Sequence, residues 1–82
     1  MNIKVKVGQR IKQIRVERGL TQEALANMAD LDRTYVTDVE NGRRNISIVN
    51  LEKLIHALNI SISDFFNSST FLDLWLLSIQ VI

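Results

Sequence analysis

Apolar residues recur along this chain at the spacing of helix faces. Val7, Ile11 and Ile14 share one face and Gly19 offers a stop after Arg18, which predicts a first helix over 7–18. Thr21 is a good N-cap, Glu23 complements the dipole in the first turn, and Leu25, Met28 and Ala29 supply the buried side of a short second helix ending near Ala29. Asp30-Leu31-Asp32 then makes a tight connection. Asp32 is placed to cap a third helix whose apolar side is Val36 and Val39, and Asn41-Gly42 closes it, because both residues tolerate left-handed backbone. Ser47 caps a fourth helix with a stripe at Ile48, Leu51, Leu54, Ile55 and Leu58, and Ser61-Ile62-Ser63-Asp64 has the form of a capping box for a fifth. The pattern is all-α, with five helices, no strand and no internal repeat.

Beyond the fifth helix the pattern changes. Asn67-Ser68-Ser69-Thr70 reads as a turn, and the stretch after it contains Phe71, Leu72, Leu74, Trp75, Leu76, Leu77, Ile79, Val81 and Ile82. That stretch is too apolar for a solvated tail and too short to span a bilayer. The expected organisation is one helical domain over 1–66 and an apolar C-terminal extension over 67–82.

Composition narrows the chemistry. A chain of 82 residues supports one fold with a modest core, which dimerisation would usefully enlarge. With 46% hydrophobic and 23% charged residues it is expected to fold. There is no cysteine, and His56, the one histidine, has no visible partner, so no metal site, cofactor or role for His56 is expected. No nucleophile–base pair and no phosphate-cradling glycine loop is present, which argues against an enzyme. The opening residues lack the apolar core of a signal peptide and no stretch reaches about 18 apolar residues, so the expectation is a cytoplasmic protein with no membrane partner. A net charge of +1 says little, but Lys4, Lys6, Arg10, Lys12, Arg15 and Arg18 crowd the first twenty residues while residues 21–42 are acidic.

Two short helices joined by a tight turn form the arrangement that presents the second of them to the major groove of DNA. With Val36 and Val39 turned inward at about 100° per residue, Thr34 and Asn41 face directly outward, Thr37 and Asp38 lie beside them, and Arg33 and Tyr35 flank the face. Arginine can bond guanine bidentately, threonine serves several base edges, and tyrosine can bond phosphate while packing on sugar or base. Any solvated helix has a polar outer face, however, so the surrounding motif must decide.

That motif runs Gly19-Leu20-Thr21-Gln22-Glu23-Ala24-Leu25-Ala26 and then Leu31 through Asn45. It resembles the lambda-repressor and Cro-like helix-turn-helix superfamily over about residues 7–66. The Asp32-Arg33-Thr34-Tyr35 start, the Gly42-Arg43-Arg44-Asn45 loop and the continuation from Leu51 to Phe66 are most similar to controller proteins of restriction–modification systems. The resemblance implies a compact five-helix fold and a sequence-specific transcriptional regulator that binds palindromic, double-stranded operator DNA as a homodimer. Together with the outward face of the third helix, it places base reading on Arg33, Thr34, Tyr35, Thr37 and Asp38. Gln22 matches a phosphate-contacting glutamine, and Arg43, Arg44 and Asn45 match a loop that grips the backbone or reaches a minor-groove or outer base position. Arg15 and Glu40 match a structural ion pair joining the first helix to the third. A regulator that activates would also touch RNA polymerase.

In this family the fifth helix forms the two-fold interface. Ile60, Ile62, Phe65 and Phe66 exceed what one small core uses, and Leu72 and Trp75 are expected to extend that interface. Asp38 departs from the controller pattern, which often has a small residue there. It either disfavours wrong sequences by repulsion or lies outside the contact zone. An alternative reading is an antitoxin-like regulator whose apolar tail binds a protein partner.

Overall fold

Most helices begin where a short polar side chain can take a free backbone N–H. Thr21 Oγ1 accepts from the Ala24 N–H at 3.0 Å, Ser47 Oγ from Asn50 at 3.1 Å and Ser61 Oγ from Asp64 at 3.0 Å. The computed structural model describes residues 2–71, and among these it contains five α-helices and no strand. They are α1 (Ile3–Glu17), α2 (Gln22–Ala29), α3 (Arg33–Glu40), α4 (Ile48–Ala57) and α5 (Ile62–Phe66), followed by a 3-10 turn at Ser69–Phe71.

α1 starts before its predicted position at residue 7, because Asn2 Oδ1 accepts from the Lys4 and Val5 N–H groups at 3.1 and 3.4 Å. Asp32 holds the N-cap position of α3 as expected but makes no side-chain cap bond. The first four helices end alike. Gly19, Asp30, Gly42 and Asn59 adopt φ values of 68°, 56°, 74° and 55°, and the following N–H groups turn back onto the last carbonyls, as from Leu20 to Arg15 at 3.1 Å and Leu31 to Ala26 at 2.9 Å. At the end of α3 it is Gly42, with Asn41 at φ −88°, that supplies the left-handed residue.

The core joins Val7, Ile11 and Ile14 of α1, Leu25, Ala26 and Ala29 of α2, Val36 and Val39 of α3, Leu54, Ile55 and Leu58 of α4, and Phe65 and Phe71. Of the expected core residues Leu51 is half-buried against its edge, and two are exposed. Met28 is 58% exposed, since turning Leu25, Ala26 and Ala29 inward leaves it about 100° from the centre of the buried stripe. Ile48 is 86% exposed because the first residue of a helix leans off its N-terminal end, away from the packed body. Phe71 packs against Phe66 and Phe65, at ring separations of 5.1 and 6.2 Å.

α1 and α3 meet almost backbone to backbone. A Cβ on Gly8 would fall 2.2 Å from the Val39 carbonyl oxygen and 2.9 Å from that of Glu40, so only glycine permits this approach. Two residues on, from the opposite face of the helix, Arg10 ties α1 to α5, donating from Nε to the Phe65 carbonyl at 2.7 Å and from an amino group to the Asp64 carbonyl at 2.9 Å. α3 is thereby held on a rigid frame, with α1 and α2 packed behind it.

Candidate nucleic-acid interface

With Val36 and Val39 buried, the outward surface of α3 carries Arg33, Thr34 and Asn41, all exposed, with Tyr35, Thr37 and Asp38 half-buried beside them. This is the face the 100° spacing predicts. A depression of about 480 Å³ on one flank is lined by Thr34, Tyr35 and Arg44 with Asp30, Leu31 and Asp32, and one of about 340 Å³ by Arg33, Gln22 and Arg15 with Thr21 and Glu23.

Behind the face lies a polar network. Arg15 donates to Glu40 through Nε at 2.7 Å and an amino group at 3.0 Å, while its other amino group donates to the Leu20 carbonyl at 2.8 Å. The Glu40 side chain is only 1% exposed, and the fork of the guanidinium satisfies both its oxygens. Gln22 Nε2 adds a third donor to Glu40 Oε1 at 3.0 Å. The Thr37 hydroxyl lies 2.8 Å from Gln22 Oε1 and 3.0 Å from the Arg33 carbonyl, and donates to one of them at a time. Gln22 is therefore no free surface amide. Its orientation is set from both ends, and one Nε2 hydrogen and the first-turn N–H groups of α2 that Thr21 does not cap remain available to an anion.

The second cluster lies on the outer side. Asn50 of α4 donates to the Tyr35 hydroxyl at 3.1 Å, and the Arg44 guanidinium sits 5.0 Å from the Tyr35 ring centroid. Asp38 Oδ2 lies 3.7 Å from Arg44 Nε, and Oδ1 lies 3.9 Å from an Arg43 amino group. Arg43, Arg44 and Asn45 are exposed, so the loop arginines are drawn towards α3 by groups upon it. Asn50 had no sequence signal beyond being polar on α4, and its place beneath Tyr35 appears only in three dimensions.

At α5 one expectation is corrected. Phe65 has no exposed surface in the single chain, where it fills the core beneath Phe71 and Arg10, so it presents no side chain to a partner. Ile62 is 55% exposed, Phe66 sits at the core's edge in a T-shaped contact with Phe65, and Ile60 is half-buried. Ile60 and Ile62 line an open depression of about 530 Å³ with Ile55, His56, Glu52 and Lys53. Leu72 and Trp75 lie outside the described residues. Among the described residues no helix is long and apolar enough to cross a membrane, and no group of three potential metal ligands converges.

The helix-turn-helix family profile matches residues 11–65, a span that includes both polar clusters. Control protein C.MunI of a Mycoplasma species is 46% identical over 67 residues, covering 80% of this chain and 90% of that protein. Control protein C.BamHI of Bacillus amyloliquefaciens is 41% identical over 70 residues, covering 84% and 86%. Among solved structures, the restriction-modification controller protein C.AhdI from Aeromonas hydrophila superposes with a TM-score of 0.76 at 47% identity, covering 80% of this chain and all of that one. The C.Esp1396I controller tetramer in complex with its natural 35 base-pair operator superposes with a TM-score of 0.75 at 44% identity, covering 78% and 84%. In helix order, in the packing of α2 against α3 and in sequence, the chain belongs to the helix-turn-helix family, alongside the restriction–modification controller proteins.

Proposed function

We propose that this chain is a sequence-specific transcriptional regulator of the restriction–modification controller kind, which binds palindromic operator DNA as a homodimer. The observation that carries this reading is the outer face of α3: a short, exposed, hydrogen-bonding surface on a helix held rigidly by Gly8 behind it and the Arg15–Glu40–Gln22 network beside it. A helix of that width enters the major groove, where Arg33, Thr34 and Thr37 reach base edges and Tyr35 the groove wall. Gln22, Arg43 and Asn45 hold the flanking phosphates and set the register. The likeness to C.Esp1396I, seen as a tetramer on its operator, supports both the DNA and the oligomer.

The dimer joins two copies through Ile60, Ile62 and the exposed edge of Phe66, with Leu72 and Trp75 extending the contact. Two reading helices then meet half-sites about one helical turn, roughly 34–36 Å, apart. The protein acts in the cytoplasm without catalysis, and represses by covering promoter DNA or activates by touching RNA polymerase. Selection of duplexes from a random pool by the purified protein tests the proposal. A two-fold symmetric consensus is expected, and recovery of unselected sequence would overturn it.

A further inference from the structure

Asp38 is the one acidic side chain on the outer surface of α3, where a bare carboxylate beside DNA would be repelled by phosphates. Its position shows what it does instead. Its two oxygens face the two loop arginines, at 3.7 Å from Arg44 Nε and 3.9 Å from an Arg43 amino group. Arg44 is held from a second direction by the Tyr35 ring, and Tyr35 is itself held by the Asn50 amide. Asn50 on α4, Tyr35 and Asp38 one turn apart on α3, and Arg44 on the loop thus form one connected chain across three elements. The guanidinium meets Asp38 through Nε, which leaves its amino groups free to donate to an acceptor on DNA.

We propose that Asp38 is a positioning residue that, with Tyr35, fixes Arg44 along the outer face of α3 and makes it a directional reader rather than a general phosphate clamp. Two physical effects work together. Pinning a long side chain before binding lowers the ordering cost of the one geometry in which its amino groups meet the right base or sugar edge. The carboxylate also offsets the arginine charge, which weakens attraction to any duplex whatever its sequence, because non-specific affinity is almost wholly electrostatic. Asp38 therefore raises the ratio of operator to non-operator binding, at the expense of overall grip.

This inference rests on the DNA-binding reading above, and its test separates the two. Binding of the full chain and of Asp38→Asn is measured against a selected operator and a scrambled duplex over a range of salt concentrations. With the carboxylate charge gone, affinity for the scrambled duplex rises about threefold to tenfold with a steeper salt slope, while operator affinity rises less or falls. In an Arg44→Ala background the same Asp38→Asn change lowers the specificity ratio less, since the residue it positions is gone and only the loss of the carboxylate charge beside Arg43 remains. Equal specificity ratios and salt slopes for Asp38→Asn and the parent would overturn the inference. So would an Asp38→Asn protein that loses preference at a single base pair with scrambled-duplex affinity unchanged, because Asp38 would then be reading that base itself. Failure of the parent chain to select any operator overturns the functional reading instead.

Discussion

A carboxylate withdrawn from water as far as that of Glu40 is stable only while its partners remain, and here they number three, from Arg15 twice and Gln22 once. Arg15→Ala removes two of them and strands a buried charge, which costs about 3–5 kcal/mol. A domain of this size has only about 5–15 kcal/mol in hand, so a large drop in the urea midpoint is expected. Arg15→Lys should fall between the two, because an ammonium supplies the charge but not the fork. An unchanged midpoint for Arg15→Ala would show that Glu40 is accommodated without its pair. Arg33 and Thr34 are exposed on the first turn of α3 and have no such structural duty. Arg33→Ala should leave stability within about 0.5 kcal/mol, yet cost about 1–3 kcal/mol of discrimination at one base pair per half-site. Sites selected by the variant become degenerate there, and an unaltered consensus at lower affinity would mean that α3 does not read the bases.

At the scale of elements, what was legible in the sequence was what local chemistry decides. Thr21, Ser47 and Ser61 cap because a hydroxyl can reach an N–H three residues on, and Gly19 and Gly42 end helices because they enter left-handed backbone without cost. Relations between distant elements were not legible. Phe65 and Phe66 are adjacent aromatics with no pattern to say which is core, and Phe71 follows a polar turn yet closes over both. Gly8 reads as a weak spot in a helix, but its missing side chain is where α1 meets the backbone of α3. An ordinary helical Gly→Ala change stabilises by up to about 1 kcal/mol. Gly8→Ala should do the reverse: the new methyl meets a fixed carbonyl at 2.2 Å, and overpacking of that kind costs on the order of 1–3 kcal/mol. The melting temperature then falls by about 4–8 °C for each kcal/mol, and operator affinity drops with it as α3 tilts away from α1 and stretches the Arg15–Glu40 pair. A higher melting temperature for Gly8→Ala would mean the two helices separate freely and the frame behind α3 is soft.

For the whole molecule the governing quantity is the distance and symmetry between two reading helices, which one copy of the chain cannot set. Ile62 offers a clean way to probe the proposed two-fold contact, because it is more than half exposed and is the first residue of α5. A carboxylate there suits the N-terminal end of a helix, so Ile62→Asp leaves the fold of the single copy intact and its melting temperature near that of the parent. In a two-fold contact every substitution appears twice, so the proposed interface loses apolar area and takes up a carboxylate on both sides. An unpaired charge taken into an apolar contact costs several kcal/mol, and each 1.4 kcal/mol is a factor of ten, so the dimer constant should weaken by about two orders of magnitude or more. Sedimentation equilibrium reads this directly. Operator affinity then falls through the lost coupling of half-sites, whereas the preferred half-site sequence stays the same, because nothing on α3 has changed. An Ile62→Asp protein that remains a dimer at parental strength would move the interface away from α5, and one that monomerises yet binds the full operator as tightly as before would show that each copy engages its half-site alone.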